Sequence, residues 1–472
     1  MYRKRRYRRK SSKPQKLALI GIAAAVTIGA FLTLLNIEKQ IDADSASSVQ
    51  ESKSSSSEVK AIPVTDTAGP EKIALVSGEV TTDDGVKLPD EIRQLLLDYT
   101  SDKYEYMGEL EYKSLSQYFN TDNTYGELYA GFCNTSLQYL IYERQSRSAD
   151  LSYDEASFAI NVESAAVKKG IYTINYTISE KVSFAICDTP AMSCGMEVEA
   201  QVSKGTDGKY KFDILAEDTD VNLLIEERVM NYLGYDFDEY YLKDMKIPDN
   251  TDCEKMYSSI LKTLKSEAET NIAEQEQMLS DYNSSPDSFK ATKTAKHKYD
   301  RDKAVAYSYK WVDSEKVIRN PAYSDYAVYG GNCQNYVSQA LFASGIPMDW
   351  NGDQQWKWFD DEGDLSESPT GRSGSWSGTE YFYEYCNKNT GKGIVAETDG
   401  NIFSAQPGDV IQYVVDGWAH HSVIVTKVIY DDNGNVVDLL INSNTTDRVD
   451  YPMSAYGYTD IRLIRIIGYN DK

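Results

Sequence analysis

The sequence is poor in cysteine and histidine, which excludes several classes of protein. Six cysteines among 472 residues are too few for a disulfide scaffold. None of them shows the paired spacing of zinc ligands, so we expect no metal and no cofactor. Cys187 and Cys194 flank a turn-like stretch whose length permits a hairpin disulfide. The glycines around Gly374 lie in a serine-rich loop that lacks the lysine and the strand of a phosphate-binding loop.

Basic residues are scarce beyond the amino terminus. Nine of the 49 Lys and Arg residues fall in residues 1–16, and the other 40 face 73 acidic residues, a formal charge of −33. Such a charge excludes a general nucleic-acid binder, because the phosphate backbone would be repelled. It fits a soluble surface protein.

An uncharged run of nineteen residues, 17–35, follows the basic segment 1–16. Its length approaches the roughly twenty residues that cross a bilayer. A cleaved secretory signal peptide is the alternative, but its apolar core spans only about 7–15 residues, and Ile41-Asp42-Ala43 makes a poor cleavage site. We therefore expect an uncleaved transmembrane signal-anchor at 17–36. With the basic segment in the cytoplasm, the protein would be a single-pass cell-membrane protein with extracellular folded domains.

Composition divides the rest of the chain into four parts. Residues 37–86, rich in serine and acids, predict a disordered tether. Residues 87–220 predict an accessory α+β domain whose topology resembles the cystatin-like fold. Residues 221–298 predict a helical connector, with a helix at 252–279 packed on a neighbouring domain. Residues 299–472 would form the catalytic domain.

Within the accessory domain, apolar periodicity predicts helices followed by antiparallel strands. The predicted helices are 90–99, 111–118 and 135–144, and the predicted strands are 156–164, 170–181, 197–203 and 210–216.

The first candidate for chemistry is Cys333, which follows Gly330-Gly331-Asn332 at the start of a predicted helix, 334–342. Asn332 is a suitable N-cap. Free N–H groups at a helix start stabilise an anion, so this position predicts a lowered thiol pKa and a nucleophile. Cys333 also shares a helical face with Val337 and Leu341, which equally fits an ordinary buried cysteine.

A histidine decides between these two interpretations. The chain has three histidines, and two are adjacent, His420 and His421, at the beginning of a predicted strand, 422–430. Alternation places His421 on the face of Val423 and Val425, which we expect to pack on the cysteine helix, and His420 on the other face. Cysteine followed by a histidine on a strand is the order of a papain-like thiol hydrolase.

The register of a predicted hairpin suggests a third residue that would act together with Cys333 and His421. If Asn433-Gly434 forms a two-residue turn, Val423 lies opposite Asn444 and Val425 opposite Asn442. Asn444 is then diagonal to His421 and could orient its ring, with Asn442 as the fallback. Both asparagines would equally suit a strand end.

Several segments together resemble the amidase domain of bacterial cell-surface proteins, a relative of NlpC-like and CHAP cell-wall hydrolases with a papain-like fold. They span residues 299–472: 299–301, 303–305, 332–339, 375–376, 406–410, 421–425 and 444–448. The family usually has Asp and Thr where Asn332 and Gln334 stand, and often His at Asn444.

The resemblance implies that Cys333 attacks an amide carbonyl, that His421 acts as its base and that Asn444 orients His421. It implies a Gram-positive cell-surface enzyme acting on peptidoglycan or a cell-wall peptide. The alternatives are a non-catalytic binding or scaffold protein with the same fold and a protein-directed cysteine protease.

Trp376 and Trp418 are candidate walls of a substrate cleft, although the core is the commoner place for tryptophan. Asp300 is expected to cap a helix and Arg301 to pair with an acid. The sequence does not indicate an oligomeric state.

Overall fold

Long strands with alternating burial dominate the fold. In Tyr153–Lys168, for example, Ala156, Phe158, Ile160 and Val162 are buried while the residues between them are more exposed. The computed structural model describes residues 74–235, 242–248, 250–327, 331–351, 355–358 and 372–471. These residues form mixed α and β structure with eight α-helices and eleven strands.

The strands are β1 Leu75–Thr82, β2 Tyr153–Lys168, β3 Ile171–Phe184, β4 Ala191–Lys204, β5 Tyr210–Glu217, β6 Gly393–Thr398, β7 Val410–Val415, β8 Trp418–Tyr430, β9 Val436–Ser443, β10 Asp447–Pro452 and β11 Asp460–Asn470. The helices are α1 Asp90–Glu109, α2 Thr124–Gln145, α3 Asp220–Leu233, α4 Cys253–Ser284, α5 Arg301–Lys310, α6 Cys333–Ala343, α7 Gly374–Ser377 and α8 Thr379–Lys388.

All eleven strands belong to one sheet, in the order β1-β2-β3-β4-β10-β9-β8-β7-β11-β6, with β5 also paired to β4. The junction between its amino-terminal and carboxy-terminal halves is β10. On one edge it pairs with β4, Asp447 opposite Cys194, and on the other with β9, Arg448 opposite Ser443. The hydrogen-bonded ladder thus runs across the boundaries expected from the sequence at 220 and 298.

The predicted strands of the amino-terminal half are confirmed in type and order, although the observed strands are longer. In the turn between β2 and β3, Lys169 and Gly170 both have positive φ. This is the backbone conformation of the tight hairpin turns that match the twist of the strands.

Two of the predicted elements are wrong. Residues 111–118 do not form an α-helix. Instead α1 continues to Glu109, and only Ser116–Tyr118 forms a short 3₁₀ turn, because the side chain of Asn134 accepts from Leu115 N–H and holds the segment irregular. Residues 75–82, assigned to the tether, form β1, which pairs in parallel with β2. Val76 and Val80 pack against the core and add this strand to the sheet.

The helical prediction for the connector is confirmed in α4. Asp252 caps it by accepting from Lys255 N–H at 2.9 Å, and Met256, Ile260 and Leu264 are buried in the core. Helix α4 packs against α2 and near the 3₁₀ turn Ile402–Ser404, so it covers one face of the carboxy-terminal part of the sheet. Helices α5, α6 and α8 cover the opposite face.

No helix in the described ranges has both the length and the apolar character needed to cross a membrane. The predicted anchor at 17–36 and the tether up to residue 73 lie outside the described residues. Cys187 and Cys194 are both free thiols, so the hairpin disulfide that the spacing permits is not formed.

Asp409, which is fully buried, joins three elements of the carboxy-terminal half. It accepts from Arg301 Nη1 of α5, from Ile466 N–H of β11 and from Gln406 N–H, each at 2.9 Å. Asp300, one residue before Arg301, accepts from Lys303 N–H at 3.1 Å and caps α5. Both roles expected of the Asp300-Arg301 pair are confirmed.

We expect Asp409→Ala to lower the free energy of unfolding by about 3–5 kcal/mol, because it leaves the Arg301 charge and the buried N–H group of Ile466 unpaired. Asp300→Ala is the matched control and should cost only about 1 kcal/mol, the usual loss of an exposed N-cap. Urea unfolding of both variants measures the difference. Equal effects of the two substitutions would contradict the role given to Asp409.

Candidate active site

The start of helix α6 presents free backbone donors. Asn332 occupies the N-cap position, but its side chain makes no capping bond. Its Nδ2 donates to Asn444 Oδ1 at 2.6 Å, and its Oδ1 accepts from Tyr326 N–H at 3.1 Å. Gly331, with φ of 153°, brings the chain into the helix in a conformation suited to glycine. The first amides of α6 therefore remain available to the cysteine.

The sulfur of Cys333 lies near these backbone amides. Its own N–H and those of Gln334 and Ser422 lie close enough to its sulfur to lower the thiol pKa. Burial has the larger and opposite effect, since only 6% of the residue is exposed, and raises the pKa of Cys333 to about 11. The expectation of a lowered pKa is wrong for this conformation, because desolvation of a thiolate outweighs three amide dipoles.

The raised pKa does not distinguish Cys333 from the structural cysteines. Burial also raises the pKa of Cys133 and of Cys187 to about 12, and that of Cys253 to about 11. What sets Cys333 apart is the set of three converging backbone amides and its neighbour in space, the start of the histidine strand.

His421 lies on β8 and is 7% exposed. Its Nε2 is 2.7 Å from the hydroxyl of Tyr456, and its ring lies beside the stacked rings of Tyr456 and Tyr413, with centroids 5.2 and 6.2 Å away. Burial, and then the positive charge of Arg448, lowers the pKa of His421 to about 3. The imidazole is therefore neutral at physiological pH.

The cysteine and the histidine come together through the backbone. Ser422, whose N–H faces the sulfur of Cys333, is the residue after His421. Within the described part of the chain, the sulfur and the imidazole make no direct hydrogen bond to each other. A neutral thiol and a neutral imidazole can react only if the two side chains come into contact and attack occurs together with proton transfer to His421.

The expected packing of β8 is wrong in one respect. Val423 and Val425 belong to the core on the α4 side of the sheet, whereas Ile424 packs in the core of α6, with Val337. Because the sheet is buried on both faces, alternation alone did not show which face the cysteine helix covers. His420 sits at a shift in the β7–β8 register, between Ala419 opposite Val414 and His421 opposite Tyr413.

The predicted register of the β8–β9 hairpin is only partly right. It holds for Lys427 to Ile429, where Val428 faces Leu439. An irregularity at Thr426 then shifts the pairing by one residue, so that Ile424 faces Asn442. A bulge of this kind moves every later side chain relative to its predicted partner.

The two asparagines are engaged elsewhere. Asn444 is 1% exposed, accepts from Asn332 and donates its amide to Trp311 O at 3.3 Å. Asn442 accepts from Asp450 N–H at 2.9 Å and donates to Ser308 Oγ at 3.1 Å. The structure thus brings Asn444 to the start of the cysteine helix, while the hydrogen-bond partner of the His421 ring is Tyr456.

Sequence reasoning missed Tyr456 and Arg448. The guanidinium of Arg448 lies 4.2 Å from the ring centre of Tyr456, and Asp220 of α3 interacts with both side chains. Arg448 lay within the segment 444–448 that resembles the amidase family, but without an assigned role. Tyr456 is one of 37 tyrosines and carried no signal of its own.

The two candidate cleft residues differ in exposure. Trp376 is fully buried among Trp356 and Trp358, and its indole N–H donates to Asn335 Oδ1 of α6 at 2.8 Å. In this structure it supports the cysteine helix from the core. Trp418 is 48% exposed, at the start of β8, with the ring of Tyr381 at 6.2 Å. Its role in substrate binding stays a prediction.

Among the residues that the structure describes, no three His, Cys, Asp or Glu side chains are grouped to hold a metal ion.

Comparison with known proteins relates the carboxy-terminal part of the chain to a family of amidases. Residues 298–467 match the model of a family described as "Putative amidase domain". The chain is also 26% identical, over 239 residues, to the uncharacterized protein YhbB of Bacillus subtilis (strain 168). That similarity covers 50% of this chain and 64% of YhbB. No solved structure gives a significant match.

We expect Cys333 in the folded protein to be alkylated slowly by iodoacetamide at pH 7, at least about a hundredfold more slowly than in the unfolded chain. A thiol with a pKa of about 11 has far less thiolate at pH 7 than a free cysteine with a pKa near 8.5, and this one is also buried. Between pH 7 and 10 its rate should rise about tenfold per pH unit.

Peptide mapping by mass spectrometry separates Cys333 from the other five cysteines, and labelling in denaturant supplies the reference rate. Rapid labelling of Cys333 at pH 6, independent of pH, would instead show a preformed thiolate–imidazolium pair.

Proposed function

We propose that this protein is a thiol hydrolase that cleaves amide bonds, with Cys333 as the nucleophile and His421 as the base. The match of residues 298–467 to an amidase family supports amide hydrolysis at a coarse level. The observation that carries the mechanism is the convergence of three backbone N–H groups on the sulfur of Cys333, beside the residue that follows His421.

In the proposed mechanism, Nε2–H of His421 donates to Tyr456 Oη, which leaves Nδ1 free to accept a proton. The sulfur of Cys333 attacks the carbonyl carbon as its proton moves to His421, because both groups start neutral. N–H groups at the start of α6 stabilise the oxyanion. The C–N bond then breaks as His421 protonates the leaving amine, and water hydrolyses the thioester.

Peptidoglycan is the proposed substrate, and a Gram-positive cell surface the proposed setting. The resemblance of residues 299–472 to surface amidases and the uncharged run at 17–35 motivate both proposals. A membrane anchor would place Cys333 outside the cell, where wall peptides are found. Recovery of the full chain in the soluble fraction, instead of salt-washed membranes, would contradict the anchor.

The burial and the neutral forms of Cys333 and His421 favour a second function, which is binding of a wall peptide without cleavage. Cys333 and His421 are both almost completely buried, and their pKa values favour the neutral forms. A surface protein that uses an amidase fold to bind wall peptides would need no accessible thiol. A protein-directed protease shares the nucleophile and differs only in its substrate.

Purified Gram-positive cell walls incubated with the full chain should release new amino groups, and Cys333→Ala should reduce the release to the background rate. Cys386→Ala is the matched control, because Cys386 is also fully buried but lies in α8. Amine labelling followed by mass spectrometry identifies the bond that is cut.

The outcomes separate the three functions. Wall binding without new amino groups would favour the binding protein. Cleavage of denatured casein but not of walls would favour the protease. Equal release by the wild type and Cys333→Ala would overturn the thiol mechanism.

Tyr456→Phe and Asn444→Ala test which residue orients the base. We expect Tyr456→Phe to lower kcat by up to about a hundredfold with little change in KM, because the imidazole loses its partner while the substrate contacts remain. Asn444→Ala should act through the start of α6 and change the unfolding free energy more than the pH dependence of kcat. If Asn444→Ala shifts the pH–rate profile and Tyr456→Phe does not, Asn444 is the orienting residue.

A further inference from the structure

A cavity of about 70 Å³ lies behind the histidine, between the two halves of the sheet. One wall comes from α1, α2, β3 and the start of α3. The other comes from Arg448, Tyr451 and Tyr456, in and just after β10. At about 10–15 Å³ per water molecule, the cavity has room for roughly five waters or for one molecule of about that many heavy atoms.

Two arginines face this cavity with donors that have no partner. Arg144 of α2 is 4% exposed, and its Nε and Nη1 are buried without a hydrogen bond, while its Nη2 donates to Ala455 O at 3.4 Å. Arg448 Nε is likewise buried and unpaired, and its guanidinium lies over the rings of Tyr451 and Tyr456. Buried guanidinium N–H groups are rarely left unsatisfied, and their fork suits a carboxylate.

The cavity wall also carries acids. Its charged residues are three cations and three anions: Lys103, Arg144, Arg448, Glu180, Glu217 and Asp220. Lys103 pairs with Glu217, which leaves two arginines and two carboxylates. Tyr104 donates to Glu180, and Tyr458 donates to Asp220 at 3.4 Å. A simple anion would unbalance a wall of zero net charge, whereas a zwitterion would preserve the balance.

We propose that this cavity binds a small α-amino acid, with its carboxylate on Arg144 and Arg448 and its ammonium group toward Glu180 and Asp220. Both ends of such a ligand find opposite charge, and its few heavy atoms match the volume. The proposal does not depend on turnover at Cys333.

The cavity adjoins the candidate active site through two shared side chains. Tyr456 forms part of the cavity wall and also hydrogen-bonds to His421. Arg448, which would hold the ligand carboxylate, stacks on that same tyrosine. An amino acid in the cavity would therefore contact the residues that surround the base, and its binding should be sensed at His421.

Isothermal titration of the full chain with glycine, L-alanine and D-alanine tests the proposal. At least one of them should bind saturably at one site per chain, with a Kd between about one micromolar and about one millimolar for so small a ligand. Acetate and methylammonium should each bind at least about tenfold more weakly, because each supplies one charge of the pair. No saturable binding of the amino acids at about 100 mM, which is far above such a Kd, would overturn the proposal.

Two variants locate the binding. Arg144→Gln removes the guanidinium group that would bind the ligand carboxylate, and it should weaken binding at least about tenfold. Ser136→Leu places a larger side chain in the cavity while keeping both arginines. The hydroxyl of Ser136 donates to Phe132 O of its own helix, a carbonyl that the helix can satisfy without it, so the loss of the hydroxyl should be tolerated.

The matched control is Arg93→Gln, a part-exposed arginine of α1 outside the cavity, which should leave the Kd unchanged. Circular dichroism confirms folding of each variant. An unchanged Kd in folded Ser136→Leu or Arg144→Gln would place the binding elsewhere and overturn the proposal, as would acetate binding as tightly as alanine.

Discussion

Strand β10 is hydrogen-bonded along both edges, to β4 of the amino-terminal half and to β9 of the carboxy-terminal half, and the candidate site depends on this double pairing. It fixes Arg448 between the two halves and directs the chain so that Tyr456 reaches His421 at 2.7 Å. An accessory domain joined only by a linker could rotate or be lost without effect on the site. Here its strands continue the sheet that carries His421, and its Asp220 lies near Tyr456 and Arg448. The amino-terminal half is thus part of the environment of the candidate site.

The same arrangement accounts for the electrostatics of the pair. Two amides of a helix start and one amide of β8 near a sulfur would lower a thiol pKa in a solvent-filled cleft, but the sheet is covered on both faces, and both side chains are buried. Desolvation favours the uncharged form of each group, so it raises the pKa of Cys333 and lowers that of His421. Burial is the largest cause of both shifts, and together the shifts oppose formation of a thiolate–imidazolium pair. Only attack coupled to proton transfer avoids charging either group while it is buried.

The sequence predicted those features that depend on local periodicity. Apolar spacing, turn glycines and caps such as Asp252 account for three of these features. They are the strands β2 to β5, helix α4 and the start of α6. Features that depend on the partner of a segment were not predictable in this way. Residues 75–82 look like tether until β2 is present to pair with them. Residues 111–118 have a helical pattern, but the side chain of Asn134 holds them in another conformation.

The third member of the site shows the same limit most clearly. Counting from an Asn-Gly turn gives the correct pairing for Val428 and its neighbours. One irregularity at Thr426 then shifts the pairing of β8 with β9 by one residue before the strand reaches His421. A bulge leaves little trace in a sequence, because it adds a residue without altering composition. Tyr456 approaches His421 from a different segment, after β10, so no spacing along β8 and β9 could have revealed it. Its position follows from the pairing of β10 with β4, which is a property of the complete chain and not of the amidase segment alone.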